Sequence, residues 1–524
     1  MQQSLRQSIA GLHTWAGLLT GWLLFAIFLT GTVSYFREEI TLWMRPEIGQ
    51  LARVPDATAA TSAIQRLTAI ASDANRWMIE LPTERDPTTR TIIRRPAGHG
   101  KALERETLDA TGKPIAARQT AGGDFLYYFH FDLYMPWRSG RILVCTAAIL
   151  MLVAIISGVI THRRIFADFF TFRAGKAQRS WLDAHNAFGV LTLPFLVMIT
   201  YSGLITLIPL YMPWGIAAAY SGEPQAFAAE LFAETLPRRM QHVTVPLAPI
   251  EPLLASAARH WGDGSAGRVV IDNPGDRSAT IRIVRRDTEA ISVAPQSITF
   301  DGATGAMIAS TSAPGPATAT RGVLYGLHLA RFSGPTLRWL FFGSGAAGTA
   351  MIASGLILWV VKRRRKQTEI GATFSHRLVE ALNITAVTGL IIAIGGYFWS
   401  NRLIASDLAT RQIWEVCCFF LAWLVAAVHA AWRSPIAAWR DQLWTAAMLY
   451  AGLPVVNALT TMRSLPRAIA DGDWIFAAFD LVTLTAGLAL ALAAWRLRKS
   501  QERMTTIPRP GSKQSSSVMQ SEAT

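Results

Sequence analysis

Apolar runs and polar stretches alternate on two scales along this chain. Eight runs reach the roughly 20 residues that a bilayer crossing requires. They lie near 14–36, 141–161, 186–211, 339–361, 379–400, 412–432, 442–461 and 474–496. Long polar segments, 37–140 and 212–338, interrupt the first four runs, and short connections separate the last four. Inside the polar segments the period changes. ATSAIQRLTAIASD and PIEPLLASAARHW carry apolar residues at helical spacing, whereas WMIELP, TIIRRP, GRVVIDNP and ATIRIVRR alternate as half-buried strands do. TLDATGKPIA and TFDGATGAMIA read as two versions of one hairpin around D-x-x-G and D-G-x-x-G turns. The pattern predicts a membrane all-α bundle of about eight transmembrane helices, with two small α+β domains inserted. Residues 1–36 hold the first span, 37–140 the first inserted domain, and 141–211 the second and third spans with a basic loop. Residues 212–338 form the second domain, 339–366 the fourth span, 367–499 a four-helix extension, and 500–524 a polar, Ser-rich disordered tail. The first run is long and lacks a clear small-x-small cleavage site, so it is expected to be retained.

The first four runs contain a repeat. His13 opens the first run, with Gly17 four residues on and Gly31 eighteen on; His185, Gly189 and Gly203 repeat that spacing in the third. His130, in YFHFDLY, precedes the second run and Gly158 by 28 residues; His328, in YGLHLARF, precedes the fourth and Gly355 by 27. The first four helices are therefore expected to be a duplicated two-helix unit. Four residues is about one helical turn, so Gly17 and Gly189 fall on the face of their histidines. Imidazole at the helix mouth and bare backbone one turn on suit a flat, bulky cofactor such as haem. An ionisable side chain at membrane depth is a functional candidate, and neutral imidazole is a common axial ligand.

Charge fixes an orientation. A net charge of +15 would point to nucleic acid in a soluble protein, but here the basic residues gather at span ends. Placing Arg163, Arg164, Arg173, Lys176 and Arg179, the 362–366 run KRRRK, and Arg496, Arg498 and Lys499 inside puts both termini in the cytoplasm and both inserted domains outside. His13 and His185 then lie at the inner end, His130 and His328 at the outer end. Two bis-histidine sites follow, one bridging the first and third helices, the other held by the segments entering the second and fourth. His162 lies at the inner end as an alternative ligand or a propionate partner, with His376 and then His429 as weaker candidates; His99, His242 and His260 read as surface residues. Trp15, Trp43, Trp137, Trp339 and Trp399 read as interfacial anchors. The three cysteines, Cys145, Cys417 and Cys418, all sit inside apolar runs. No disulfide framework, thiolate metal site or CxxCH attachment is available, so any haem is b-type and non-covalent. A Ser/His/Asp set, a phosphate loop and a dinucleotide fingerprint are not found. The spans contain almost no carboxylates, which argues against a proton-coupled transporter.

LHTWAGLLTG with LTGTVSYFREE, FHFDLY, SGVITHRRIFADFFTFR, WLDAHNAFGV and GLHLARF together resemble the PepSY-associated transmembrane family of bacterial inner-membrane proteins, over about residues 1–366. The resemblance implies a four-helix unit with periplasmic PepSY-type domains. Some members are di-haem reductases that release iron from ferric siderophores, and others have no settled function. The expectation is an inner-membrane reductase with two b-type haems held by His13, His185, His130 and His328. It would pass electrons from a cytoplasmic reductant or a quinol to a periplasmic ferric siderophore. The alternative is a non-catalytic PepSY-domain receptor or regulator that binds a periplasmic protein or peptidase.

Overall fold

A computed structural model describes residues 4–96, 102–162, 173, 178–223, 226–227, 238–311, 314–370 and 373–506. Arg163, Arg164, Lys176, His99 and residues 507–524 lie outside the described residues. In chain order, α1 (Leu5–Ser34) leads through the short α2 (Arg37–Trp43) to α3 (Asp56–Ile70). Strands β1 (Arg76–Glu80), β2 (Thr89–Arg94) and β3 (Leu103–Leu108) follow, then α4 (Gly122–Asp132), α5 (Trp137–Thr161) and α6 (Gln178–Thr206). The second polar segment supplies α7 (Ile250–His260), β4 (Ala266–Asp272), β5 (Thr280–Arg285), β6 (Ser297–Asp301), β7 (Met307–Ser310) and α8 (Pro316–Leu329). Last come α9 (Pro335–Ile370), α10 (Phe374–Leu403), α11 (Arg411–Trp432), α12 (Pro435–Thr460) and α13 (Trp474–Thr506).

Among the described residues, eight helices are long and apolar enough to cross a membrane: α1, α5, α6 and α9 to α13. The chain is a multi-pass membrane protein. Their ends depart from hydropathy where local chemistry decides. Ser4 and Gln7 form a reciprocal capping box, so α1 begins well before its apolar run. α6 starts at Gln178 in polar sequence and ends at Thr206, because Ile208–Tyr211 is a separate short helix opened by Pro209. α13 continues to Thr506, past the expected start of a disordered tail at 500.

The two polar segments do not stand apart as two domains. Their strands form one antiparallel sheet in the order β3-β2-β1-β4-β5-β6-β7. β1 pairs with β4, Met78 opposite Val270, so each segment's exposed strand edge is closed by the other. α3 and α7 cover one face, over a core that includes Leu67, Trp77, Ile79, Leu254, Ile271 and Phe300. Arg76–Asp272 (2.5 Å) and Arg286–Asp56 (2.9 Å) tie the halves together. At the β6–β7 turn, Asp301 accepts the Thr304 and Ala303 amides, and also bonds the Thr304 hydroxyl and Arg238. The backbone bond from Thr304 leads in holding its carboxyl at about 2. A depressed folded pKa contributes stability above the unfolded value, and that stability is lost as pH falls through the folded value. Protection of the β6–β7 amides in hydrogen exchange should therefore decline from about pH 4 towards pH 2. Asp301→Asn should flatten that decline and cost about 1–2 kcal/mol at neutral pH; an equally steep decline in the variant would refute the assignment.

The extension holds more charge than its sequence suggests. Glu415 and Asp480 are fully buried inside spans, contrary to the expectation of almost no intramembrane carboxylates. Each is satisfied locally: Asp480 accepts Trp43 Nε1–H (3.2 Å) and Asn457 Nδ2–H (3.1 Å). Trp43 is therefore no interfacial anchor. It is fully buried, stacked on Phe479 with ring centres 4.0 Å apart, beneath the Arg402 guanidinium at 3.7 Å. Trp399 is also drawn inward, donating to Leu449 O (2.8 Å), while Trp15, Trp137 and Trp339 stay exposed.

Candidate functional site

α1, α5, α6 and α9 carry two cavities, one towards each end of the bundle. In the cavity nearer the sheet, His130 and His328 face each other with ring centres 6.0 Å apart and ring planes at 28°. In the far cavity His13 and His185 stand 6.2 Å apart at 67°. The histidines grouped at each end by the sequence repeat therefore lie next to each other in the fold. His130 and His328 do not sit on the spans. They lie on their own short helices, α4 and α8, which end in left-handed residues, Leu133 (φ 56°) and Ala330 (φ 51°), before the chain turns into α5 and α9.

All four imidazoles are fixed in one way. Nδ1 of His13 bonds Ala154 O (2.9 Å), His185 bonds Met351 O (2.9 Å), His130 bonds Ile27 O (2.7 Å) and His328 bonds Ile199 O (3.0 Å). A carbonyl oxygen cannot donate, so each Nδ1 carries the proton and Nε2 keeps its lone pair for a metal. Burial lowers the His130 pKa and pushes His328 to about 3, which holds both rings in the neutral, ligating form. A glycine lies beside each ring. A Cβ at Gly31 would sit 2.6 Å from His130, at Gly203 2.9 Å from His328, at Gly355 2.9 Å from His185 and at Gly158 3.1 Å from His13. Gly31 and Gly203 therefore serve the histidines of the other cavity, a role their distance from His13 and His185 did not reveal. Gly17 and Gly189 line the far cavity as expected, and at Gly17 an added Cβ would meet nothing within 4 Å.

These residues fit a planar metal macrocycle. Metal–imidazole bonds of about 2.0–2.1 Å, with about 1.1 Å from nitrogen to ring centre, place coaxial imidazoles about 6.3 Å apart. Both observed separations match. The cavities measure about 120 Å³ near the sheet and 310 Å³ at the far end, and Leu24 and Met151 line both. His13 and Ile27, which mark the two levels on α1, are separated by about 21 Å at 1.5 Å per residue. His162 lies on the far cavity's rim, where Asn186 Nδ2 bonds its Nε2 at 2.9 Å, and is not part of the facing pair. Lys362, Arg363 and Trp359 line the same rim. His376 stands outside both cavities, 6.3 Å from Trp359 and beside Glu380 (3.7 Å). His429 lies 3.8 Å from Asp441 in the extension. Among the described residues, no group of three or more His, Cys, Asp and Glu side chains is placed to share one metal ion.

The family model described as the PepSY-associated TM region matches residues 10–362. An uncharacterized protein of Pseudomonas aeruginosa is 25% identical over 324 residues, covering 59% of this chain and 79% of the relative. The matched family region contains both histidine pairs and the whole sheet, and it ends before α10.

Proposed function

We propose, for a chain that belongs to the PepSY-associated transmembrane family, a haem-b reductase of the bacterial inner membrane that serves periplasmic ferric siderophores. The carrying observation is the two facing imidazole pairs at metal-bridging separation, one towards each end of the bundle. His13 and His185 would hold one non-covalent haem on the cytoplasmic side, and His130 and His328 a second on the periplasmic side, with both termini cytoplasmic. Held by these histidines, haem would supply one-electron redox chemistry. The chain's own residues do the rest. The backbone carbonyls orient the rings, the apolar lining keeps water away, and Leu24 and Met151 set the gap between the two sites. The matched spacing of the histidines and of their neighbouring glycines supports a duplicated unit, with each polar segment a PepSY-like half of the joint sheet. The donor is a cytoplasmic reductant or a quinol. One electron converts Fe(III), a hard ion gripped by oxygen-rich chelators, to weakly held Fe(II), and iron is released with the chelator intact.

The protein purified from haem-replete membranes should show a Soret band and a dithionite-sensitive α-band. Mixing the reduced protein with a ferric hydroxamate should reoxidise it. A protein without these bands would instead be a receptor, binding a periplasmic protein or peptidase through the sheet. Bands that persist unchanged on mixing would leave a haem protein that does not reduce ferric iron.

A further inference from the structure

The four-helix extension lies outside the family match, and its contacts give it a task. α4, which carries His130, has no side-chain cap of its own making at its first residue. Its start is instead held by other elements. Thr120 Oγ1 accepts the Gly122 amide (3.1 Å) and donates to Glu415 Oε2 (2.5 Å). Tyr397 Oη donates to Gly122 O (2.8 Å), and Thr41 Oγ1 accepts the Gly123 amide (3.0 Å). Glu415 is fixed in turn by Asn401 Nδ2 (2.7 Å) and the Arg411 guanidinium (3.2 Å). A carboxylate at a helix start is also favoured by the helix dipole. Below this point Phe125 and Phe129 pack edge-on against Phe419, with ring centres 4.9 and 5.4 Å apart. The start of α4 and its Phe125 and Phe129 therefore meet α10 and α11, while the rest of the helix packs on α1, α2 and α5.

α8, which carries His328, is held differently. Its Gly322 and Gly326 lie against residues 291–294, where Val293 N–H donates to Gly322 O (3.1 Å). The two rings of one pair thus share equivalent carbonyl anchors on α1 and α6, while unrelated parts of the chain hold the outer sides of the helices that carry them. A buried ion pair inside a membrane span is costly. In this one both Glu415 oxygens are hydrogen-bonded at the start of a helix that ends in a cavity histidine, whereas Arg411 Nε meets the carboxylate only as an ion pair. We infer that the extension is a clamp on α4, and that Glu415, acting through Thr120, is a positioning residue for His130. The inference rests on the proposed haem reading for its spectroscopic arm only.

Thr120→Val removes the hydroxyl that links Glu415 to Gly122 at nearly constant volume, Thr120→Ser retains it, and Glu415→Ala removes the anchor. In the full-length protein, Thr120→Val should speed hydrogen exchange of the α4 amides about tenfold. It should also shift the optical and redox signature of the site that His130→Ala abolishes, with the site that His13→Ala abolishes unchanged. Thr120→Ser should behave as wild type. Glu415→Ala should go further and lose the first site altogether. Should Glu415→Ala fail to fold, Thr120→Val carries the test alone. Unchanged α4 exchange in Thr120→Val, or a shift shared equally by both sites, would overturn the clamp. If the wild type proves free of haem, the proposed function falls, and α4 exchange still decides the clamp.

Discussion

His130→Ala or His328→Ala should remove about half of the bound haem, and His13→Ala or His185→Ala the other half. The effect is large because each ring is one of two in its cavity, part-buried and aimed by a backbone carbonyl that Ala cannot use. The halves should be distinguishable spectroscopically before any mutation. The rings of the far pair cross at 67° and those of the sheet-side pair at 28°. Crossed imidazole planes bring the two iron π-type d orbitals closer in energy than near-parallel planes do, which makes a low-spin ferric haem more anisotropic. Two low-spin electron paramagnetic resonance signals are therefore expected, the one at higher g vanishing in His13→Ala and His185→Ala. His162→Ala should leave both signals in place, since its Nε2 is engaged by Asn186 on the rim. Loss of a signal in His162→Ala, or equal losses from every histidine variant, would remove the pairing.

Much of this site was legible because membrane and repeat constraints act directly on sequence. A span must be apolar over its whole length, so eight runs gave eight helices. The spacing His13–Gly17 against His185–Gly189 picked out one pair, and YFHFDLY against YGLHLARF the other. What stayed hidden depends on contacts between distant residues. The carbonyls that hold each Nδ1 are 103 to 166 residues away and leave no local signature. The left-handed stops at Leu133 and Ala330 use residues that do not announce that conformation, so α4 and α8 were not separable from the spans that follow. Joining of the two polar segments into one sheet depends on which strand edges meet, and period-two alternation is silent on that. The extension read as poor in chemistry because hydropathy averages away single charges. Glu415, Asp480, Arg402 and Arg411 lie within a few residues of span ends, where an interfacial position is the default expectation.

The glycines beside the rings should be as demanding as the histidines themselves. In Gly31→Ala the new methyl carbon would stand 2.6 Å from His130 Cε1 and Nδ1, well inside contact distance. That ring is part-buried and tied to Ile27 O at 2.7 Å, so it cannot swing aside without breaking its hydrogen bond. Overpacking of this kind costs about 1–3 kcal/mol, and a displaced ring gives up the separation that suits a bridging metal. Gly31→Ala should therefore lose the sheet-side haem while the far one stays, with the protein still purifying as a membrane-embedded bundle. Gly203→Ala, 2.9 Å from His328, should act on the same site, and Gly355→Ala, 2.9 Å from His185, on the other. Gly17 provides the control within one helix. A methyl there enters open space in the far cavity, and Gly17→Ala should keep both sites. A phenyl ring at the same position would occupy the space left for a macrocycle, so Gly17→Phe should empty the far site alone. Haem content and the two resonance signals, measured on the purified variants, separate these outcomes. A Gly31→Ala protein with both signals intact would mean that the His130 ring is not held where the carbonyl of Ile27 places it.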